Sequence, residues 1–163
     1  MLSQRCDECL TDVRDLNIYE CADLMRSTLC GWRDRLREPN LTLRPDPDTW
    51  SPLEYAAHVR DALAVFEERV RLMLTHDNPV LPDWDQDAAA VEGNYNDSNP
   101  VTVAMQLDSA VTSAGGLLDG LDPAVYRRKG QRSDGAPFTV QTLSRYFAHD
   151  VAHHLHDVTK PLL

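Results

Sequence analysis

The sequence has few of the features that bind nucleic acid, enter membranes or direct secretion. Lysine and arginine number 16 against 26 aspartate and glutamate residues, so the net charge is −10. This excess of acid argues against a basic face for phosphates and against docking on an anionic membrane. No apolar run approaches the roughly 18 residues of a membrane span, and the first residues have no apolar stretch of signal-peptide length. We therefore expect a cytoplasmic protein.

Strand-like alternation of apolar and polar residues is also missing. Clusters of Pro, Gly, Asn and Asp separate four helical segments instead, and 163 residues with 42% hydrophobic content are enough for one domain with a full core. The predicted helices are Glu20 to Arg37, Pro52 to His76, Pro100 to Leu121 and Thr139 to Val158. We predict an all-α four-helix bundle over residues 1–163, with an irregular N-terminal segment at 1–19 and a long crossover connection between the second and third helices. Within that connection, residues 87–92 favour a short helix.

Cysteine is confined to the first 30 residues, at Cys6, Cys9, Cys21 and Cys30. Cys6-x-x-Cys9 resembles half of a zinc knuckle, but the chain has no second C-x-x-C and no C-x-x-H. As a redox pair it lacks the βαβ context of thioredoxin-like proteins. We interpret it as an ordinary reduced pair near the terminus, with metal or redox work as the alternative. Cys21 and Cys30 are interpreted as small buried residues.

The histidines are clustered near the end of the chain, where four of the six lie between positions 149 and 156: His149, His153, His154 and His156. On a helix, His149 and His153 lie one turn apart on one face, His156 falls beside them, and His154 points elsewhere. The apolar positions of this helix lie roughly opposite: Val140, Leu143, Phe147, Val151 and Leu155. Such a face is either a solvated polar surface, a set of hydrogen-bonded core histidines, or an i, i+4 metal-binding pair that needs a third ligand from elsewhere.

The candidate third ligand is His58, on the helix with the clearest start in the chain. Ser51 can cap that helix, Pro52 suits its first position, and Glu54 completes a capping box. The remaining histidine, His76, lies at the end of the same helix and is interpreted as structural.

The phrase Trp50-Ser51-Pro52-Leu53-Glu54-Tyr55-Ala56-Ala57-His58, followed by His149-x-x-x-His153, resembles the DinB/YfiT-like superfamily of four-helix-bundle metalloenzymes. Three further segments are similar to an actinobacterial branch of that family: Cys6-x-x-Cys9, Trp84-Asp85-Gln86-Asp87 and Arg132-Ser133-Asp134-Gly135. The resemblance covers about residues 20–158 and implies a metal site made by His58, His149 and His153. It also implies a homodimer.

Three imidazoles with open positions are typical of a catalytic site, for which Zn²⁺ is the first choice and nickel and iron also fit. Similarity to thiol S-transferases implies an enzyme whose metal activates a low-molecular-weight thiol, such as mycothiol, to attack an electrophile. Asp150 and His156 are candidates for orienting a ligand or transferring a proton, and Trp84 and Arg132 for contacting substrate. The alternatives are a hydrolase that uses metal-bound hydroxide and a bundle that binds metal or ligand without turnover. A zincin-type peptidase is disfavoured because only ten residues follow His153.

Overall fold

The computed structural model describes residues 4–160 and is mostly helical. Its elements are α1 (Ile18–Ser27), α2 (Leu29–Arg35), α3 (Pro52–Thr75), α4 (Gln86–Glu92), α5 (Pro100–Asp119), β1 (Lys129–Gln131), β2 (Pro137–Thr139) and α6 (Val140–Thr159), with 3₁₀ turns at Tyr95–Asp97 and Pro123–Val125. None of the described helices is long and apolar enough to cross a membrane.

The bundle consists of α1, α3, α5 and α6. Helix α1 packs against α5 and α6, and α3 packs against the same two helices. Each of the four helices therefore contributes to one shared core. Phe66 of α3 and Phe147 of α6 are both buried in it, with ring centroids 5.0 Å apart. The predicted four-helix bundle is confirmed.

Helices α1 and α3 begin where the sequence provides N-terminal capping residues. The Ser51 hydroxyl accepts from the Glu54 amide while the Glu54 carboxylate accepts from the Ser51 amide, so the predicted capping box is present. Helix α1 has the same device in Asn17 and Glu20, and therefore begins two residues before the predicted start.

The predicted first helix is interrupted at Thr28, which ends α1 and precedes α2. Cys21 on α1 is buried as expected, but the expectation of burial is wrong for Cys30, which lies on α2 beyond the break and is exposed.

Two short strands were not expected from the sequence. Strands β1 and β2 pair antiparallel, with Lys129 opposite Thr139 and Gln131 opposite Pro137. Each strand has three residues, which is too short for an alternating pattern to be recognised. The hairpin brings the loop between them, with Arg132, to the N-terminal end of α6.

Residues 4–17 form turns that lie against α6. The Arg145 Nε donates to the Leu16 carbonyl at 2.7 Å, and the Cys6 amide donates to the Thr11 carbonyl at 3.0 Å. Leu10 adopts a positive φ of 59°, a left-handed conformation that residues with a side chain rarely adopt. Residues 4–17 are thus irregular and are folded onto the helix that carries the histidine cluster. Of the irregular segment predicted at 1–19, residues 18 and 19 belong to α1, and residues 1–3 lie outside the described residues.

Candidate metal centres and cavity

Two faces of α6 carry two different groups of potential metal ligands. One group joins His58 of α3 to Asp150 and His154, and the other joins Cys6 and Cys9 to His149 and His153. Within each group, the ligand atoms all lie within 4.8 Å of one another. A third group, which joins Glu8 and Asp157 to His153, includes a carboxylate that is 65% exposed and is better described as surface ion pairing.

The first group lies between α3 and α6, and we call it the His58 group. His58 is buried, with a side chain only 3% exposed, whereas the Asp150 and His154 side chains are 20% and 18% exposed. The His58 Nε2 lies 3.9 Å from Asp150 Oδ2, and His154 Nε2 lies 3.6 Å from Asp150 Oδ1. The carboxylate therefore lies between the two imidazoles.

Aromatic side chains hold these imidazoles in position. The Trp84 ring stacks on His58 at 5.4 Å and 18°, and the Trp50 ring packs against the same imidazole at 5.1 Å. Tyr55 packs on His154, also at 5.1 Å. The tryptophan of the sequence motif thus contacts the histidine of that motif, which gives the spacing between Trp50 and His58 a physical purpose.

The charges in the His58 group suit a divalent cation. Burial, followed by the neighbouring His154, lowers the pKa of His58 to about 3, so the imidazole is neutral at physiological pH and its lone pair is available. Burial raises the pKa of Asp150, because a carboxylate enclosed here is poorly solvated. The buried His58 Nδ1 has no hydrogen-bond partner among the described residues. A bound cation would offset the cost of the buried carboxylate and use the His58 imidazole, which is already neutral.

A cavity of about 330 Å³ opens beside this group. His58 and Asp150 line it directly. The other lining residues are Ala62, Arg69, Leu81, Asp83, Trp84, Gln86, Arg132, Ser133, Asp134, Phe138, Leu143, Tyr146 and Phe147. Trp84 and Arg132, the two residues expected to contact substrate, therefore lie in its wall.

Two arginines line this cavity, and they differ in how many of their donor groups already have a partner within the protein. Arg132 forms an ion pair with Asp134 in the hairpin loop. Arg69 donates from Nη2 to the Pro82 carbonyl at 2.8 Å, and its buried Nε has no partner among the described residues. Burial lowers the pKa of Arg69. Arg69 is therefore the cavity cation with more unused capacity to bind an anion.

The second group lies where the N-terminal turn meets α6, and we call it the Cys6 group. Cys9 Sγ lies 3.5 Å from His149 Nε2, and Cys6 Sγ lies 3.6 Å from His153 Nδ1. Hydrogen bonds from the backbone amides of Cys9 and Glu8 lower the pKa of the Cys6 thiol. His149 is buried, and burial followed by the adjacent His153 lowers its pKa as well.

The ligand set expected from the sequence is divided between these two groups. Within residues 4–160, no group of ligand atoms that all lie within 4.8 Å of one another combines His58 with His149 and His153. The reason is the rotation of α6: His149 and His153 face the N-terminal turn, while Asp150 and His154, one residue further along, face α3. Asp150, expected to assist a ligand, instead belongs to the ligand group itself, and His156 belongs to neither group.

The sequence contained evidence for this arrangement. Asp150 and His154 are also an i, i+4 pair, and they lie about 80° and about 40° from the centre of the apolar stripe of α6, whereas His149 and His153 lie roughly opposite that stripe. The pair nearer the stripe is the one that faces the bundle. Likewise, H-x-x-x-H is a common partner of C-x-x-C in zinc sites, and the structure brings His149 and His153 close to Cys6 and Cys9.

Comparison with known proteins agrees with this fold. The model of the DinB superfamily matches residues 22–158. The structure is similar to YfiT from Bacillus subtilis, a probable metal-dependent hydrolase with an unusual four-helix bundle topology, with a TM-score of 0.74 and 16% identity over 86% of this chain and 84% of that one. It is also similar to a mycothiol-dependent maleylpyruvate isomerase, with a TM-score of 0.70 and 13% identity over 91% of this chain and 63% of that one.

No curated protein matches the chain in sequence. The two structural similarities, at 16% and 13% identity, demonstrate a shared fold. The family match covers most of the chain and includes His58, Asp150 and His154, whereas Cys6 and Cys9 precede the matched residues. This chain belongs to the DinB superfamily.

Proposed function

We propose that this protein is a metal-dependent enzyme that activates a low-molecular-weight thiol, of the mycothiol kind, for attack on an electrophilic small molecule. The observation that carries the proposal is that His58, Asp150 and His154 form a three-donor ligand group whose members His58 and Asp150 line a cavity of about 330 Å³. Three protein donors leave coordination positions free, as in catalytic rather than structural sites. The mycothiol dependence of one structural neighbour supports a thiol cosubstrate.

The chemistry of the donors favours Zn²⁺, with Ni²⁺ and Fe²⁺ as further candidates. A divalent ion held by this group would lower the pKa of a thiol or a water molecule that it binds. The chain's own contribution is to keep His58 neutral by burial, to hold its ring between Trp50 and Trp84, and to keep Asp150 beside both imidazoles. Such packing keeps the ligands in one geometry before the ion arrives.

The cavity walls suit a substrate with an apolar body and an acidic group. Trp84, Phe138 and Tyr146 provide aromatic surface that excludes water from the reacting atoms. Arg69 provides a cation with unused hydrogen-bonding capacity, while Arg132 is already paired with Asp134. An electrophile that carries a carboxylate would bind with that group at Arg69 and its reactive carbon toward the ligand group.

A metal-dependent hydrolase is the second candidate, because the ligand group contains a carboxylate. Two histidines and one acidic residue form the ligand set of several zinc hydrolases. The structural similarity to YfiT, a probable metal-dependent hydrolase, agrees with this alternative. The two candidates differ in whether turnover requires a thiol.

The test is an assay of the metal-loaded protein with an electrophile, in the presence and absence of mycothiol. With monochlorobimane as the electrophile, we expect conjugation that depends on both the metal and the thiol and is lost in His58→Ala. His76→Ala is the matched control, since His76 is exposed at the end of α3 and belongs to neither ligand group. Hydrolysis of activated esters without thiol would favour the hydrolase. Metal binding with no turnover of either kind would contradict an enzymatic function.

A further inference from the structure

We infer that Cys6, Cys9, His149 and His153 form a second metal site, a closed structural zinc site that fastens the N-terminal segment to α6. The four residues come from two places in the chain, a turn at residues 6–9 and one face of a helix some 140 residues later. Their ligand atoms nevertheless converge within 4.8 Å of one another. This site is separate from the His58 group and does not depend on the proposed function.

The distances in the Cys6 group agree with a tetrahedral zinc ion. Zn–S bonds of about 2.3 Å and Zn–N bonds of about 2.0–2.1 Å, at the tetrahedral angle, separate a sulfur from a nitrogen by about 3.6 Å. The observed separations are 3.5 Å from Cys9 Sγ to His149 Nε2 and 3.6 Å from Cys6 Sγ to His153 Nδ1. Two thiolates and two neutral imidazoles also leave the complex with Zn²⁺ without net charge, which suits a half-buried position.

A backbone hydrogen bond closes the turn that holds both cysteines. The Cys6 amide donates to the Thr11 carbonyl at 3.0 Å. Leu10 occupies a left-handed conformation directly after Cys9, although leucine is disfavoured there. A turn that accepts such a conformation in order to direct two thiols at two imidazoles is better explained by a ligand than by the thiol–imidazole contacts alone.

A closed four-ligand site has a different task from the open His58 group. With no position left for substrate, the ion holds structure together. Apart from these contacts, the segment of residues 4–17 is joined to α6 by few bonds, such as the one from Arg145 Nε to the Leu16 carbonyl. The zinc site therefore fastens the segment beside the stretch of α6 that carries Asp150 and His154.

The test uses the full chain loaded with Co²⁺ under reducing conditions, because cobalt reports thiolate ligands by charge-transfer absorption in the near ultraviolet. We expect that absorption in the wild type and in His154→Ala, and its loss in Cys6→Ser and Cys9→Ser. Cys30→Ser is the matched control, since Cys30 is an exposed cysteine outside the group, and it should retain the absorption. Both substituted ligand cysteines are only half-buried, so the variants should fold.

Metal content and protection of the backbone provide two readouts that do not depend on cobalt. Zinc-loaded wild type should contain about one equivalent more than Cys9→Ser, and amides of residues 6–11 should exchange with solvent more slowly with zinc than after its removal. The proposal is overturned if the reduced wild type shows no thiolate-to-cobalt absorption. It is equally overturned if Cys6→Ser and Cys9→Ser retain both the absorption and the zinc.

Discussion

His153 and His154 are adjacent in the chain, yet their imidazoles belong to different ligand groups. Their ring centroids lie 5.9 Å apart and their planes are inclined at 73°. His153 faces Cys6 in the N-terminal turn, and His154 faces His58 and Asp150 in the bundle. The rotation of about 100° between successive helical residues is what separates the two groups.

His154 is the imidazole that α6 contributes to the His58 group. His154→Ala should remove about one equivalent of metal, because it leaves only two protein donors beside the cavity. It should reduce metal-dependent turnover by about 100-fold or more, since even residues that only orient metal ligands contribute about 10- to 100-fold. Metal content by mass spectrometry and turnover measured on the same preparation would check it. His156→Ala, on the same helix, is the control and should retain both.

The set predicted from the sequence, His58, His149 and His153, makes the opposite prediction for the same variants. In that arrangement His154→Ala would keep the catalytic ion, and His149→Ala would lose it together with activity.

Arg69 is predicted to bind the acidic group of the substrate. Arg69→Gln should raise KM for a carboxylate-bearing electrophile by about 10- to 100-fold, since a hydrogen bond to a charged group contributes about 1.5–3 kcal/mol. The value of kcat should change little, and the rate with the uncharged monochlorobimane should be unaffected. Arg71→Gln is the control, because Arg71 lies on the same helix but is exposed and paired with Glu67. Equal effects on charged and uncharged substrates would contradict a binding role.

Glu54 should make folding stability depend on pH. Burial alone would raise the pKa of Glu54, but hydrogen bonds from Arg44 and Ser51 outweigh it, so the pKa lies below the ordinary value of 4.5. A lowered folded-state pKa gives a stabilisation that is present above 4.5 and is lost as the pH falls through the folded-state pKa. Glu54→Gln should lower the free energy of unfolding by about 1–3 kcal/mol at neutral pH. It should also reduce the loss of stability that the wild type shows at acidic pH, which we call the acid limb.

Urea unfolding between neutral and acidic pH measures this effect. Glu20→Gln is a matched control, because Glu20 closes the same type of capping box on α1 but is exposed and has no arginine partner there. Glu20→Gln should retain the acid limb of the wild type. If Glu54→Gln retains it as well, the ion pair with Arg44 is not its source.

Truncation of Phe66 in the bundle core should strongly reduce folding stability. This residue is fully buried on α3 and packs against Phe147 of α6. Phe66→Ala should lower the free energy of unfolding by about 3–5 kcal/mol, because it removes buried surface and leaves a cavity. Val101→Ala, at a side chain that is 69% exposed, should change it by less than about 0.5 kcal/mol. Urea denaturation of both variants provides the comparison.

The fold was predictable from the sequence because its evidence is local. Ser51, Pro52 and Glu54 specify a helix start through contacts within three residues, and the helical periodicity identifies the bundle. The strands β1 and β2 were missed because three residues carry no recognisable alternation. The break at Thr28 was missed because the apolar pattern continues across it.

The site was predictable only in part, because it depends on how one helix is rotated against another. The sequence offered two i, i+4 pairs on one helix as partners of His58, namely His149 with His153 and Asp150 with His154. The rotation of α6 places Asp150 and His154 beside His58. The contacts of Cys6 and Cys9 with α6 join residues at least 140 positions apart, which local patterns do not reveal.

The most direct test of two ligand groups on adjacent faces of α6 is the anomalous scattering of a crystal of the zinc-loaded protein, measured at the zinc absorption edge. We predict two separate peaks, one among His58, Asp150 and His154 and one among Cys6, Cys9, His149 and His153. A single peak shared by His58, His149 and His153 would contradict this account.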